Sequence, residues 1–205
     1  MGLRHRMSNH GNQLQITLPN WLVEYSNGYK PTTDSKLQMQ FVIDAAARNI
    51  AEQCGGPFAA GVFEIATGRL IALGVNLVTS QGLSILHAEI LALSYAQRHF
   101  GHFNLSDKSL PPCQLVTSSE PCAMCFGAIP WSGIRKVICG AKAQDARGIG
   151  FNEGAIPADW RNILHTRQIT TETGVLAEAA RKVLADYATS GGLIYNSCPG
   201  ANDNT

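Results

Sequence analysis

The sequence predicts an α/β protein in which helices cover both faces of one mixed sheet. After an opening hairpin, short apolar strands alternate with stretches of helical periodicity along the rest of the chain. This alternation is typical of a sheet that is covered by helices on both faces. The length of 205 residues suits a single domain, and we detect neither repeats nor a second domain boundary.

The first half of the chain predicts a lead, a helix and a hairpin. Residues 1–20 are mostly polar without sustained periodicity, so we expect a poorly ordered N-terminal lead and assign residues 21–205 to one domain with a C-terminal tail. A helix is predicted to begin at Asp34 or Ser35 and to end at Gly55-Gly56. Two strands follow, joined by a turn around Gly68.

The second half continues the alternation and contains one long loop. The predicted elements are, in order, a helix over 84–101, a strand over 113–119, a helix over 121–133, a strand over 134–141, a strand near 167–171 and a helix over about 173–190. Residues 142–162 contain three glycines and are predicted to form a loop. Structureless loops of this length are uncommon in small domains and often carry function.

Composition restricts the partners of the chain. Charged residues make up only 15% of the sequence, and a surface this poor in charge is typical of a subunit partly covered by another copy, so we expect a homodimer. A formal charge of +1 without a basic run argues against a nucleic-acid partner. No apolar segment is long enough to span a membrane and no secretion signal is evident, so we expect a cytoplasmic protein.

Two short motifs carry the chemistry. "LHAEI" contains His87 and Glu89, and "SSEPCAMCFG" contains Cys122 and Cys125 at the start of a predicted helix. The positive end of a helix dipole favours thiolates, which bind metal. One nitrogen and two sulfur ligands leave the fourth tetrahedral position of zinc open, which indicates a catalytic site. In the first helical turn, Glu89 would miss the metal and reach its bound water, as a general acid and base does.

Other interpretations of these cysteines remain open from spacing alone. An isolated Cys-x-x-Cys is also typical of redox pairs. Cys113 or Cys139 would close the zinc site as a fourth ligand, although both lie in apolar runs where buried cysteine is an ordinary packing residue. The joint pattern His-x-Glu followed by Pro-Cys-x-x-Cys is much more specific, because it is the signature of zinc deaminases.

In these motifs and in the order of its elements, the chain resembles the cytidine deaminase superfamily over residues 35–195. The resemblance implies a three-layer α/β/α sandwich around a five-stranded mixed sheet, with one Zn²⁺ per subunit in a deaminase domain. The stretches "GGPFAAGVFE", "GVNLVT", "LHAEILALSYAQ", "LVTSSEPCAMCFGAIPWSG" and "IGFNEG" are similar to bacterial guanine deaminases of the cytidine deaminase type, the group that includes the Nitrosomonas enzyme.

This resemblance implies a reaction and a role for each candidate residue. The reaction is hydrolysis of guanine to xanthine and ammonia, with ammeline as a further substrate. The implied roles are zinc ligands for His87, Cys122 and Cys125, proton transfer for Glu89 and Glu153, aromatic walls for Phe58 and Phe151, a purine-binding amide for Asn76, and a backbone N–H that holds a ring or carbonyl acceptor for Ala88.

Three other functions stay open at this point. Adenosine deamination in tRNA would require a basic groove, which the near-neutral charge disfavours. Cytosine or cytidine deamination uses the same two zinc motifs. A non-catalytic zinc-binding module is disfavoured by the presence of Glu89 and by a set of only three obvious ligands.

Overall fold

A computed structural model describes residues 14–196 and contains a five-stranded mixed sheet. The strands are β1 Ala59–Glu64, β2 Leu70–Val75, β3 Cys113–Ser119, β4 Lys136–Ala141 and β5 Thr170–Thr173. They are arranged in the order β2-β1-β3-β4-β5. Strand β1 pairs antiparallel with β2 and β3, whereas β3, β4 and β5 run parallel. The predicted mixed sheet is confirmed.

Helices cover both faces of this sheet. They are α1 Asn20–Asn27, α2 Ser35–Ala51, α3 Val78–Gln81, α4 Ala88–Phe100, α5 Ala123–Ser132, α6 Ala143–Gly148, α7 Trp160–Thr166 and α8 Ala177–Thr189. Side chains of α2 and α8 share one core with one face of the sheet. Side chains of α4, α5 and α7 share a second core with the other face. The predicted three-layer α/β/α sandwich is therefore confirmed.

Strand periodicity explains the two cores. Successive residues of a strand point to opposite faces of a sheet. Accordingly, the neighbours Val62 and Phe63 of β1 lie in different cores, as do Leu115 and Val116 of β3. Every residue of β3 is buried, as expected for a central strand covered on both sides.

Helix ends follow the predicted signals in most places. The Asp34 side chain caps α2 by accepting hydrogen bonds from the N–H groups of Lys36 and Leu37. Helix α4 ends at Gly101 in the left-handed conformation, with φ 64°. It begins only at Ala88, later than predicted, so that His87 is the residue that precedes its first turn.

Two parts of the prediction were wrong in detail. Helices α1 and α3 were not expected, and the segment 142–162 is not one continuous loop because it contains α6 and the first residues of α7. The side chain of Asp145 accepts a hydrogen bond from the Lys142 N–H at 2.8 Å and so stabilises the start of α6. A short helix like this has too few apolar positions to show periodicity in sequence.

The N-terminal boundary near residue 20 stays a prediction. Residues 1–13 of the predicted N-terminal lead lie outside the described part of the chain, as do residues 197–205 of the tail. Residues 14–19 form no helix or strand, but the Tyr95 hydroxyl donates a hydrogen bond to the Ile16 carbonyl at 3.1 Å. Within 14–196, no helix combines the length and apolarity needed to cross a membrane.

Candidate active site

The amino-terminal ends of α4 and α5 bring three metal-binding side chains together. His87 immediately precedes α4, Cys122 immediately precedes α5, and Cys125 lies in the first turn of α5. The start of α4 rests on strand β2 at Gly74, where any side chain would collide with the Ala88 carbonyl. Both helices thus direct their positive ends toward the same point, which favours anionic sulfur there.

The three side chains fit a tetrahedral zinc ion. His87 Nδ1 lies 3.4 Å from Cys122 Sγ and 3.7 Å from Cys125 Sγ. Zinc bonds of about 2.3 Å to sulfur and about 2.0 Å to nitrogen would separate the two ligand types by about 3.5 Å. Across residues 14–196, neither Cys113 nor Cys139 joins this metal-binding group. The described side chains therefore supply three ligands, as a catalytic zinc site requires.

The two sulfurs differ in acidity when no metal is bound. A hydrogen bond from Cys125 lowers the pKa of the Cys122 thiol to about 4, and His87 contributes in the same direction. The same hydrogen bond and burial raise the pKa of Cys125. Burial disfavours the charged form of His87, but the hydrogen bond to Cys122 and the nearby negative charges raise its pKa overall. The cluster thus holds a thiolate ready for a metal cation.

Glu89 lies in the first turn of α4, beside the metal-binding group. Its side chain is only 6% exposed, yet it lines the same cavity as His87 and Cys122. Burial raises the pKa of this carboxyl group, and the negative charge of Cys122 adds to the effect. The placement agrees with the geometric condition that His87 and Glu89 converge only at a helix end.

A cavity of about 520 Å³ opens over these residues. Phe58 and Phe151 line it with their ring centroids 5.1 Å apart and their planes inclined by 68°. Glu153 also lines it and is brought to the metal-binding group by a hydrogen bond from the Ala123 N–H to the Glu153 carbonyl at 2.9 Å. The cavity lies within the size range of small-ligand sites and combines aromatic walls with polar side chains that can orient a ligand.

Asn76 presents a hydrogen-bond donor to this cavity. Its Oδ1 accepts a hydrogen bond from the Val78 N–H at 3.2 Å, which orients the amide. Its Nδ2 is buried and has no hydrogen-bond partner among residues 14–196. Because unpaired buried donors are rare in proteins, this nitrogen is available to a bound ligand.

Ala88 and Cys125 are fully buried and do not line the cavity. Ala88 is the first residue of α4, where the N–H has no acceptor within its own helix. The predicted role of the Ala88 N–H remains untested. All other predicted site residues line the cavity.

The sequence did not assign a role to the tail, but Tyr195 and Asn196 of this same chain line the cavity. Asn196 Oδ1 accepts a hydrogen bond from the Asn152 N–H, and its Nδ2 donates to the Gly150 carbonyl, each at 2.9 Å. The Tyr195 ring lies 5.0 Å from that of Phe151. The apolar run Leu193 to Tyr195 within a glycine-rich polar tail was the available sequence signal.

Stability of the metal-free protein should depend on pH through Glu153. Burial first, and then the charges of Cys122 and Glu89, raise the pKa of the Glu153 carboxyl to about 8. Unfolded glutamate titrates near about 4.3. Between these values the native state holds the extra proton, so Glu153 lowers the free energy of unfolding by up to about 1.4 kcal/mol per pH unit as pH rises.

Urea denaturation of chelator-treated protein at several pH values between 5 and 8 tests this expectation. The free energy of unfolding of Glu153→Gln should increase relative to that of wild type as pH rises, because the glutamine carries no proton in either state. The lowered pKa of Cys122 stabilises both proteins as pH rises and therefore cancels in this comparison. Parallel profiles for the two proteins would show that Glu153 titrates normally.

Comparisons with known proteins agree with this geometry. A solved structure of guanine deaminase from Nitrosomonas europaea superposes with a TM-score of 0.84 and 45% identity, covering 87% of this chain and 98% of that chain. Guanine deaminase from Bacillus subtilis is 35% identical over 136 residues, which are 63% of this chain and 83% of that protein. A tRNA-specific adenosine deaminase from Streptococcus pyogenes is 28% identical over 131 residues, which are 64% of this chain and 71% of that protein.

A family match covers the zinc-site residues themselves. The family described as the cytidine and deoxycytidylate deaminase zinc-binding region matches residues 32–141, which is over half of the chain. This range includes strands β1 to β4 and the ends of α4 and α5 where His87, Cys122 and Cys125 meet. The chain therefore belongs to the cytidine and deoxycytidylate deaminase family of zinc-binding proteins.

Proposed function

We propose that this protein is a zinc-dependent guanine deaminase that converts guanine to xanthine and ammonia. The observation that carries the proposal is Glu89, a buried carboxyl group in a cavity beside three zinc ligands. The substrate follows from the similarity to the Nitrosomonas europaea guanine deaminase, which is 45% identical over 87% of this chain. Structures of close relatives with 2,6-diaminopurine and 8-azaguanine support a small nucleobase as the substrate.

The proton transfers are assigned to the chain's own carboxyl groups. Zinc, when held by His87, Cys122 and Cys125, would supply a Lewis acid that lowers the pKa of a water molecule to about 7. Glu89 accepts the proton of the attacking water and delivers it to a ring nitrogen of guanine. Burial raises the pKa of this carboxyl group, which makes it a stronger base toward the proton of the water.

Glu153 is assigned the proton transfer that accompanies the departure of ammonia. Burial raises the pKa of its carboxyl group, which favours the protonated form. A protonated carboxyl group can donate to the 2-amino group as it leaves as ammonia, and the resulting carboxylate regains a proton from the second O–H of the attacking water, whose oxygen becomes the oxo group of xanthine. The Ala88 N–H, at the positive end of α4, is assigned to hold an acceptor of the substrate.

The flat ring of the base packs against two neighbouring aromatic side chains and is oriented by one amide. Phe58 and Phe151 pack against the base, and Asn76 Nδ2 donates a hydrogen bond to an acceptor atom of guanine. Loss of this donor should leave that acceptor buried and unpaired, which costs about 1–3 kcal/mol. Replacement of Asn76 by alanine should therefore lower kcat/KM for guanine by roughly 10- to 100-fold.

Asn76→Asp is the matched comparison for Asn76→Ala. Aspartate retains an oxygen that accepts from the Val78 N–H, a hydrogen bond that favours the carboxylate form, and this form replaces the amide donor by a second oxygen. Steady-state kinetics should therefore show a loss for Asn76→Asp at least as large as for alanine. Wild-type efficiency in the aspartate variant would mean that the donor does not contact substrate.

A panel assay tests the substrate. Ammonia release from guanine, ammeline, adenine, cytosine and cytidine should be fastest for guanine, and we propose ammeline as a secondary substrate. Good turnover of cytosine or cytidine without turnover of guanine would refute the assignment.

A transcribed tRNA substrate belongs in the same panel, since tRNA-specific adenosine deaminases are also similar to this chain. We propose that tRNA is not deaminated and that nucleic acids are not bound, because the chain lacks excess positive charge.

We also propose that two copies assemble through α5. The residues of this helix are apolar on every face, yet the side chain of Trp131 near its end is 86% exposed. The side chain of Phe103, which follows the end of α4, is 81% exposed. Helices that are apolar on every face are normally buried. Sedimentation equilibrium should give twice the chain mass of 22.0 kDa, and Trp131→Glu should give the single-chain mass.

A further inference from the structure

Asn49 connects helix α2 to two segments that carry cavity residues. It lies near the end of α2, is 0% exposed and does not line the cavity. Its Nδ2 donates hydrogen bonds to the carbonyl oxygens of Gly56 and Asn76, each at 2.9 Å. One buried amide thus joins two segments that are separated in sequence by the whole β1–β2 hairpin.

These two segments are in close backbone contact at the cavity wall. A side chain at Gly55 would collide with the Asn76 carbonyl, and one at Gly56 would approach Asn76 Oδ1 to 3.2 Å. The Asn76 N–H donates to the Phe58 carbonyl at 2.9 Å. The positions of the Phe58 ring and of the Asn76 amide therefore depend on how these backbones are held against each other.

The hydrogen bonds of Asn49 hold these two backbones together from outside the cavity. Both partners are carbonyl oxygens, so only the nitrogen side of the amide can face them. Neither carbonyl can find water in this buried position without rearrangement, because Asn49 is completely excluded from solvent. Loss of the amide would leave two backbone acceptors unpaired and would allow the segments to separate.

We propose that Asn49 is a positioning residue for the substrate: it places the donor of Asn76 and the ring of Phe58 without touching the base. The inference rests on the proposed role of these two residues in binding a purine. It deepens that function by assigning part of the binding affinity to a residue outside the cavity. Small displacements of contact groups caused by distant residues are known to reduce catalytic efficiency strongly.

Gln38 offers an internal control on the same helix. It is also a fully buried amide, and it donates to the Thr32 carbonyl at 2.7 Å and accepts from Gln114 Nε2 at 2.6 Å. None of these three residues lines the cavity. Loss of the Gln38 amide should therefore affect stability alone, whereas loss of the Asn49 amide should affect both stability and substrate binding.

The experiment compares Asn49→Leu with Gln38→Leu in the zinc-loaded enzyme. Leucine approximates the shape of asparagine and removes both donated hydrogen bonds. We expect KM for guanine to rise about tenfold in Asn49→Leu with kcat changed less than about threefold, since a loss of uniform binding acts on KM. Gln38→Leu should lower Tm with an unchanged KM. Asn49→Asp, whose neutral carboxyl group can donate only one hydrogen bond, should give an intermediate KM and replaces Asn49→Leu if that variant does not fold.

A double variant separates positioning from a purely structural role. If Asn49 acts partly through Asn76, adding Asn49→Asp to Asn76→Ala should raise KM less than Asn49→Asp does alone, because only its effect on Phe58 remains. Additive effects on KM, or an unchanged KM in the Asn49 variants, would overturn the inference. All variants are assayed with whichever base the wild-type enzyme deaminates fastest, so that a wrong substrate assignment is seen in the wild type and a wrong role for Asn49 only in the variants.

Discussion

Glu89→Gln should retain zinc while losing nearly all deaminase activity. Glutamine has the shape of glutamate but cannot carry a proton between water and the ring nitrogen. General acid and base groups typically contribute about 10²- to 10⁴-fold, so we expect kcat for guanine to fall within that range. Fixed-time assays of ammonia release give kcat, and metal analysis by mass spectrometry on the same preparations gives the zinc content.

The stability of this variant provides its control. Burial raises the pKa of Glu89 and thereby disfavours the charged carboxylate in the folded state. A neutral glutamine should therefore leave Tm unchanged or raise it, as is common when functional buried charges are removed. Activity within about tenfold of wild type would exclude Glu89 as the acid and base. Loss of zinc would instead identify Glu89 as a metal ligand.

Periodicity and local signals predicted most of the fold. The strand "CQLVTSS" was placed correctly because an apolar run buried on both sides is short and sharply bounded. The end of α4 was also correct, because Gly101 adopts a left-handed conformation that favours glycine. Helices α1, α3, α6 and α7 were missed since all four are short, and a turn or two of helix shows no clear period.

The zinc-site residues were predictable because their spacing reflects helix ends. His87, Cys122 and Cys125 were identified from two motifs, each at a helix start, and the structure brings them together. The contributions of Tyr195 and Asn49 were not predicted from sequence. Both depend on contacts between segments far apart in the chain, such as the 2.9 Å hydrogen bond from Asn49 to the Asn76 carbonyl, which no local pattern encodes.

Cys122→Ser should abolish both zinc binding and turnover. In the metal-free protein, the hydrogen bond from Cys125 lowers the pKa of the Cys122 thiol to about 4, so this residue supplies a thiolate at neutral pH. A serine hydroxyl remains protonated there and is a poor zinc ligand. We expect less than about 0.1 zinc per chain, because only two of the three protein ligands remain, and ammonia release at the level of a no-enzyme control.

Cys139→Ser supplies the matched control, because Cys139 is buried in β4 but lies outside the metal-binding group. It should lose about 1–3 kcal/mol of stability through the buried hydroxyl, yet retain zinc. A ligand that binds only the native state stabilises it by about 4 kcal/mol at a thousand times its dissociation constant. A strong chelator should therefore lower Tm of the wild type and of Cys139→Ser but not of Cys122→Ser. Retained zinc in Cys122→Ser, or loss of zinc from Cys139→Ser, would contradict the assignment of His87, Cys122 and Cys125 as the metal-binding residues. Only the loss of a metal-binding residue should make Tm independent of the chelator.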